Sequence, residues 1–264
     1  KGVCGMCTLS AYANSDIKIV DLGIRTDVDH PGIINRKIRY SAANFAKGPA
    51  MTREEAIKAI EVGIEMVGQA VEEGYEILGT GEMGIGNTSS TSAVLMCLTG
   101  LSAEVAVGKG GGLTDEGLIR KKEVLTRALE LNNPDPNDPI DVLSKVGGLD
   151  IAGMAGCFLA AAYYRIPIVI DGVISAVAAL VACRIKPEVK DFLFSSHRSV
   201  EPAYDLIMKE LGMEPILDLN MRLGEGTGCP LAFHIIGSAC YMMSHMYTFE
   251  QFKHDQTYRI DLRK

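Results

Sequence analysis

Apolar and polar positions follow two rhythms along this chain, and the switches between them mark out alternating strands and helices. Ile17-Lys18-Ile19-Val20-Asp21-Leu22-Gly23 is β-branched and partly alternating, the pattern of a strand. Thr52-Arg53-Glu54-Glu55 is a capping box that predicts a helix running to about Glu73. Further strand patterns fall at 76–80, 166–172, 191–196 and 216–219. Helical patterns fall at 3–12, 88–99, 115–131, 139–147, 149–164, 173–184, 201–211 and 231–249, the last opened by Pro230. The run Ile166-Pro167-Ile168-Val169-Ile170 is apolar throughout, which suits a central parallel strand covered on both faces. Residues 24–52 are polar and turn-rich, a long excursion between elements. The alternation predicts right-handed crossovers and a three-layer α/β fold, a mainly parallel sheet with helices on both faces.

The ends of the strands carry the chemistry. They read Asp21-Leu22-Gly23, Gly81-Glu82, Asp171-Gly172, Ser195 to Ser199 and Gly224 to Gly228. Ligands of open α/β sheets bind at the carboxyl ends of strands, so these five loops are expected around one crevice. The last of them packs Gly224, Gly226 and Gly228 around Glu225 and Thr227, a backbone that a ligand can approach closely. Gly79-Thr80-Gly81-Glu82-Met83-Gly84, with Glu104 downstream, imitates a dinucleotide fingerprint, but Glu82 would stand where a pyrophosphate must approach. A single phosphate at the start of the 88–99 helix fits better, helped by Asn87 and Thr88, with Glu82 on sugar hydroxyls. Lys109, ahead of three glycines, is a candidate phosphate donor, whereas Lys121-Lys122 has the look of a solvated helix face. His197-Arg198-Ser199 offers donors at a strand end, and Ser199 also suits a cap for helix 201–211. No zinc spacing and no acyl-nucleophile motif is present. The residues alone support a phosphate- and sugar-binding crevice with two candidate carboxylates, Glu82 and Glu225.

Composition narrows the partners. With 264 residues, a net charge of −7 and no tryptophan, the chain is unsuited to nucleic acid or an anionic membrane surface. Its longest apolar stretches fall short of the ~20 residues of a spanning helix and are read as core. Seven cysteines, an odd count set mostly in apolar segments, point to a reduced, cytoplasmic setting. Cys4-Gly5-Met6-Cys7 has a redox or half-zinc spacing, but without a second pair it is read as having no function. The chain opens on Lys1-Gly2 without an initiator methionine or a signal-peptide pattern, so a preceding segment is expected.

Several motifs together resemble one family. They are Gly81-Glu82-Met83-Gly84-Ile85-Gly86-Asn87-Thr88, Lys145-Val146-Gly147-Gly148-Leu149, Ser196-His197-Arg198-Ser199 and Arg222-Leu223-Gly224-Glu225-Gly226-Thr227-Gly228. Asn44-Phe45-Ala46 and Gly48-Pro49-Ala50-Met51-Thr52-Arg53 fit as well. The chain resembles the nicotinate-nucleotide:dimethylbenzimidazole phosphoribosyltransferases, including their phenol-activating paralogues, which activate the lower ligand of cobamides. The resemblance implies a large α/β domain over 13–228 and a smaller helical one from 1–12 and 229–264. It implies a dimer, either of identical chains or with a paralogue, and no metal or cofactor. The implied reaction moves phosphoribose from nicotinate mononucleotide to an aromatic acceptor with inversion, giving an α-ribotide and nicotinate. Glu225 would be the general base, and Glu82, Gly84, Lys121, Gly172 and Ser199 would hold the phosphoribosyl group and nicotinate. Ile85, Gly86, Asn87, Asp171, Leu223, Gly224 and Gly226 would complete the substrate site. Two departures stand out: Cys229-Pro230 follows the glycine loop where small residues are usual, and the first quarter of a typical family chain has no counterpart. That quarter supplies much of the acceptor pocket, which leaves benzimidazole, purine and phenolic acceptors open. The alternative is a weakly active paralogue that scaffolds an active partner subunit.

Overall fold

The computed structural model describes residues 2–248 and 251. In chain order its elements are α1 (Gly5–Tyr12), β1 (Ile19–Asp21), β2 (Ile33–Asn35), α2 (Arg53–Glu72), β3 (Leu78–Gly79), α3 (Asn87–Thr99) and the short α4 (Ala103–Ala106). There follow α5 (Asp115–Asn132), α6 (Pro139–Val146), α7 (Leu149–Tyr164), β4 (Ile168–Ile170), α8 (Val173–Ile185), a 3-10 turn (Pro187–Phe192), β5 (Leu193–Ser195), α9 (Tyr204–Leu211) and α10 (Gly228–His245). Local chemistry sets several of the helix starts. Thr52 and Glu55 close the expected capping box on α2, Thr114 caps α5, and Asp138 caps α6 with Pro139 as its first residue.

The main sheet is parallel, in the order β3-β4-β5. Ile168 and Ile170 on β4 face the large core, built mainly from α2, α3 and α6 to α8. Val169, between them, faces the opposite way onto Cys229 and Ala232 of α10. Alternate side chains of one strand therefore serve two helical layers, which is the three-layer α/β arrangement. α7 is buried on nearly every side, so α2 can approach it only over small residues. A β-carbon placed on Gly156 would lie 2.0 Å from the Ile60 carbonyl oxygen, and one on Gly63 would lie 1.9 Å from that of Gly153.

The structure departs from the pattern-based reading in several places. β1 does not join the main sheet; it pairs in parallel with β2, a strand hidden inside the polar excursion. The buried Asp21 carboxylate at its end accepts the Gly23 and Ile24 amides and meets Lys37 at 3.3 Å. Residues 216–219 form no strand; the segment meets the end of β5 through the Ile216 and Leu217 amides, which donate to the Ser195 and Ser196 carbonyls at 3.0 Å, and through a bridge between His197 and Leu217. Beyond the bridge Asp218 is drawn to Arg198, and Asn220 turns the chain away at φ 54°. Helix α9 starts at Tyr204 rather than 201, so Ser199 makes a local turn with the Glu201 amide and does not cap it. α10 starts earlier than expected, at Gly228, which makes Pro230 its third residue. Proline is tolerated there because the first turn has no intrahelical acceptor for its amides. The predicted end of this helix, at 249, lies outside the described residues.

The glycine seam between α2 and α7 makes a direct prediction. Gly156→Val should force the helices apart and lower stability by roughly 1–3 kcal/mol, read as a fall in the urea unfolding midpoint. The same change at the open Gly237, beside which a β-carbon meets nothing within 4 Å, should leave the midpoint almost unmoved.

Candidate active site

The chain departs furthest from ordinary backbone at the glycine loop. Gly224, Glu225 and Gly226 all have positive φ, 79°, 61° and 88°. Glycine adopts such angles freely, but a side chain there is unfavourable by about 1–2 kcal/mol. Glu225 is therefore strained, and its surroundings must hold it in place. Asp171 does so from below. Its Oδ2 accepts the Gly226 amide at 3.0 Å and its Oδ1 accepts the Gly228 amide at 2.8 Å. The carboxylate thus takes up two donors at the start of α10, whose own N-cap, Thr227, supplies no side-chain cap.

Asp171 is in turn tied to the neighbouring strand ends. Its amide donates to Ser175 Oγ at 3.1 Å, and that hydroxyl meets Thr80 Oγ1 at 2.6 Å. Ser196 Oγ donates to the Asp171 carbonyl at 3.2 Å and lies 3.0 Å from His197 Nδ1. The imidazole sits 3.7 Å from Asp171 Oδ1, fully buried. Burial pushes the Asp171 carboxyl up, while the two glycine amides and His197 pull it back. Burial pushes His197 down, against the pull of Asp171, so the ring stands neutral at pH 7. His197 is a buried structural partner, not the ligand donor expected of it.

The second acid loop touches the first, backbone to backbone. A β-carbon on Gly81 would lie 2.6 Å from the Glu225 carbonyl oxygen, so nothing larger than glycine fits. Glu82 Oε2 accepts the Gly84 amide at 3.0 Å and Asn87 Nδ2 at 2.5 Å. The same Asn87 nitrogen donates to Asp150 Oδ2 at 2.7 Å. Burial raises the Glu82 carboxyl, opposed by the Gly84 and Asn87 bonds and reinforced by the charges of Asp150 and Asp171. Its other oxygen faces Gly224, 3.2 Å from where a β-carbon would stand. Among the described residues, one buried side-chain oxygen lacks any hydrogen-bond partner, and it is Glu225 Oε2.

A third part lies at two helix starts. α3 begins behind Gly86 and α8 behind Gly172, neither with a side-chain cap, and a β-carbon on either glycine would meet nothing within 4 Å. A helix start without a side-chain cap, with open space at the glycine before it, favours an anion. Lys121 stands beside α3, half-buried, with Nζ on Thr88 Oγ1 at 3.0 Å and on the Gly108 carbonyl at 3.2 Å. Burial lowers its pKa, and nearby Glu201 opposes that effect. Thr88, Ser92, Val173, Glu201 and Ala203 line a small cleft between the two helix starts.

Glu82, Gly84, Asn87, Asp171, Gly224, Glu225 and Gly226 therefore form one connected set, with Gly172 adjoining it in the chain. Gly86 and Lys121 join through the start of α3, and Ser199 is buried beside Glu201. Ile85 and Leu223 are 97% and 60% exposed, on the rim. Lys109 stands apart in an exposed pair with Asp115. Four of the five expected strand ends meet; that of β1 reaches the site only through Gly23, which presses on Leu149 beside Asp150. Asp150 was missed, although Gly147-Gly148 ahead of an acid marks an open helix start.

A parallel α/β sheet whose strand ends gather uncapped helix starts, a half-buried cation and an unsatisfied carboxylate fits an enzyme of the group-transfer class, acting on a phosphorylated substrate. The comparisons narrow this. The model of the phosphoribosyltransferase family matches residues 1–253, and the chain belongs to that family. It is 55% identical over 256 residues to the nicotinate-nucleotide–dimethylbenzimidazole phosphoribosyltransferase of Ruminiclostridium cellulolyticum, covering 97% of this chain and 73% of the relative. The enzyme of the same name from Clostridium tetani is 50% identical over 265 residues, covering 100% of this chain and 73% of the relative. The crystal structure of the Thermus thermophilus enzyme of that name superposes with a TM-score of 0.89 at 38% identity, over 96% of this chain and 74% of that one. None of these supports the alternative of a weakly active scaffolding paralogue.

Two substitutions test this geometry. Asp171→Asn leaves one acceptor oxygen where two amides need one each, and should lower stability by about 1–3 kcal/mol, seen in the urea midpoint. Lys121 is a half-buried cation with neutral hydrogen-bond partners, its folded pKa below the ordinary 10.5. Between those two values the unfolded chain holds the extra proton, so stability rises with pH there and the penalty is complete below the folded pKa. Lys121→Met should therefore raise the melting temperature at pH 7, by an amount that shrinks as pH climbs towards 10.5. The same change should weaken a phosphorylated ligand about tenfold or more, measured by calorimetry.

Proposed function

We propose that this chain transfers phosphoribose from nicotinate mononucleotide to dimethylbenzimidazole or a related aromatic base, releasing nicotinate and an α-ribotide in cobamide biosynthesis, and that it works as a dimer in the cytoplasm. The single observation that carries the mechanism is the buried, unpartnered Oε2 of Glu225, held on strained backbone beside the second carboxylate.

The phosphate binds the open amides at the starts of α3 and α8, with Lys121 as its counter-ion. Glu82 accepts from ribose hydroxyls, its Oε1 being turned from the Gly84–Asn87 bonds toward the crevice. Gly172 and Ser199 hold the nicotinate side. An aromatic ring nitrogen attacks the anomeric carbon from the face opposite nicotinate. The C–N bond to nicotinate breaks, and its electron pair leaves with the pyridine ring, discharging that ring's positive charge. The acceptor's ring proton passes to Glu225 as the new bond forms. Nicotinate mononucleotide brings a cationic leaving group of its own, so the enzyme contributes chiefly placement and charge stabilisation. Removing the base should cost about 10²–10⁴ in rate. Glu225→Gln should accordingly keep nicotinate mononucleotide binding by calorimetry while nicotinate release falls by that factor. Undiminished release would overturn the base assignment.

A further inference from the structure

We propose that Cys4 and Cys7 form a redox-active dithiol site, and that closing it to a disulfide slows turnover by disturbing the Glu225 loop. The second half rests on Glu225 being the general base.

The sulfur atoms of Cys4 and Cys7 lie 3.1 Å apart. A disulfide needs about 2.05 Å, so roughly 1 Å of closure within a single helical turn suffices. Cys4 is the N-cap of α1, and its sulfur accepts the Cys7 amide at 3.4 Å. That bond, the Cys7 thiol and the positive end of the helix all favour a Cys4 thiolate, whereas Cys7 is held in its protonated form. An exposed attacking thiolate beside a protonated resolving thiol is the arrangement that disulfide exchange needs. Burial instead pushes Cys97 and Cys183 up to about 11 and Cys157 to about 12. Cys229, in the first turn of α10, is raised too, and Cys240 stands nearer the other end of that helix.

The pair also touches the catalytic loop. A β-carbon on Gly5 would lie 2.7 Å from Leu223 Cδ2 and 3.7 Å from Thr227 Cγ2, and Met6 Sδ lies 3.4 Å from a β-carbon on Gly226. The first turn of α1 therefore packs on both flanks of Glu225. The carboxylate of Glu225 in turn opposes ionisation of Cys4, which places the thiol within reach of the loop's charge. Any shift of this turn is passed to a side chain already at φ 61°. A displacement of about 1 Å can cost ~10²-fold in rate.

The oxidant is a small-molecule disulfide, with glutathione disulfide as the probe. The Cys4 thiolate attacks one glutathione sulfur and expels the other glutathione as thiolate. Cys7, giving up its proton, then attacks the Cys4 sulfur of the mixed disulfide and expels the second glutathione. Two protein thiols are oxidised, one glutathione disulfide is reduced to two thiols, and the two protons pass to them.

The experiment incubates the whole chain with glutathione disulfide and maps thiols by peptide mass spectrometry. The expected product is a Cys4–Cys7 disulfide two hydrogens lighter, while Cys7→Ser traps a glutathione adduct on Cys4. Nicotinate release should fall about tenfold or more, with KM for nicotinate mononucleotide unchanged, and dithiothreitol should restore it. Cys4→Ser with Cys7→Ser, which keeps a good N-cap, should match the reduced enzyme and ignore the oxidant. Free thiols at both positions under excess glutathione disulfide would overturn the site. A disulfide that leaves turnover unchanged would overturn the coupling to the loop. Full activity of Glu225→Gln would instead condemn the base assignment, while the mass shift would still judge the dithiol.

Discussion

One buried carboxylate supports the arrangement. Asp171 ends the central strand and fills both its oxygens with amides from the loop at the start of α10, across a chain separation of more than fifty residues. Through Ser175 and Ser196 it is also bonded to the ends of the two flanking strands. A carboxyl group so deep is unfavourable unless its hydrogen-bonding capacity is filled, so loop, strands and carboxyl group stand or fall together. That mutual dependence is what keeps Glu225 in a backbone conformation a non-glycine residue avoids.

The same interaction decides where an anion can sit. Of the helices that start beside the crevice, α10, α3 and α8 are not equivalent. Asp171 takes the first amide of α10, that of Gly228, and the Gly226 amide just before it, whereas α3 and α8 begin on glycines that bring no cap and leave open space. Negative charge is thus steered to one side of the crevice, toward Lys121, and away from the two carboxylates on the other. The site accordingly holds features that disfavour folding: a half-buried ammonium on neutral partners, a strained glutamate and an orphaned oxygen. Such defects gather where ligand contacts relieve them.

Much of this was legible in the chain as written. The capping box at Thr52, the proline and acid ahead of α6, and the apolar run of β4 are signals carried within a few residues, and each element appeared where its signal lay. The glycine-flanked acids Glu82 and Glu225 were readable for a similar reason, since the backbone they require excludes most other residues. Local rules also misled. Lys109 among glycines resembled a phosphate donor and is a surface ion pair, while Lys121, in a run that resembled a solvated face, turns inward. Asp21 closes a strand with the same residue type as Asp171, yet its strand belongs to another sheet.

The sequence by itself thus determined the alternation of elements, the starts of the capped helices and the residue types at the strand ends, because those follow from periodicity and from bonds spanning three or four positions. Only the tertiary structure decided which strand ends share a sheet, which lysine is desolvated, and that Asp171 serves as the anchor beneath Glu225. Those outcomes depend on pairing, burial and charge across distant parts of the chain, and neither burial nor pairing is a property of a residue taken alone.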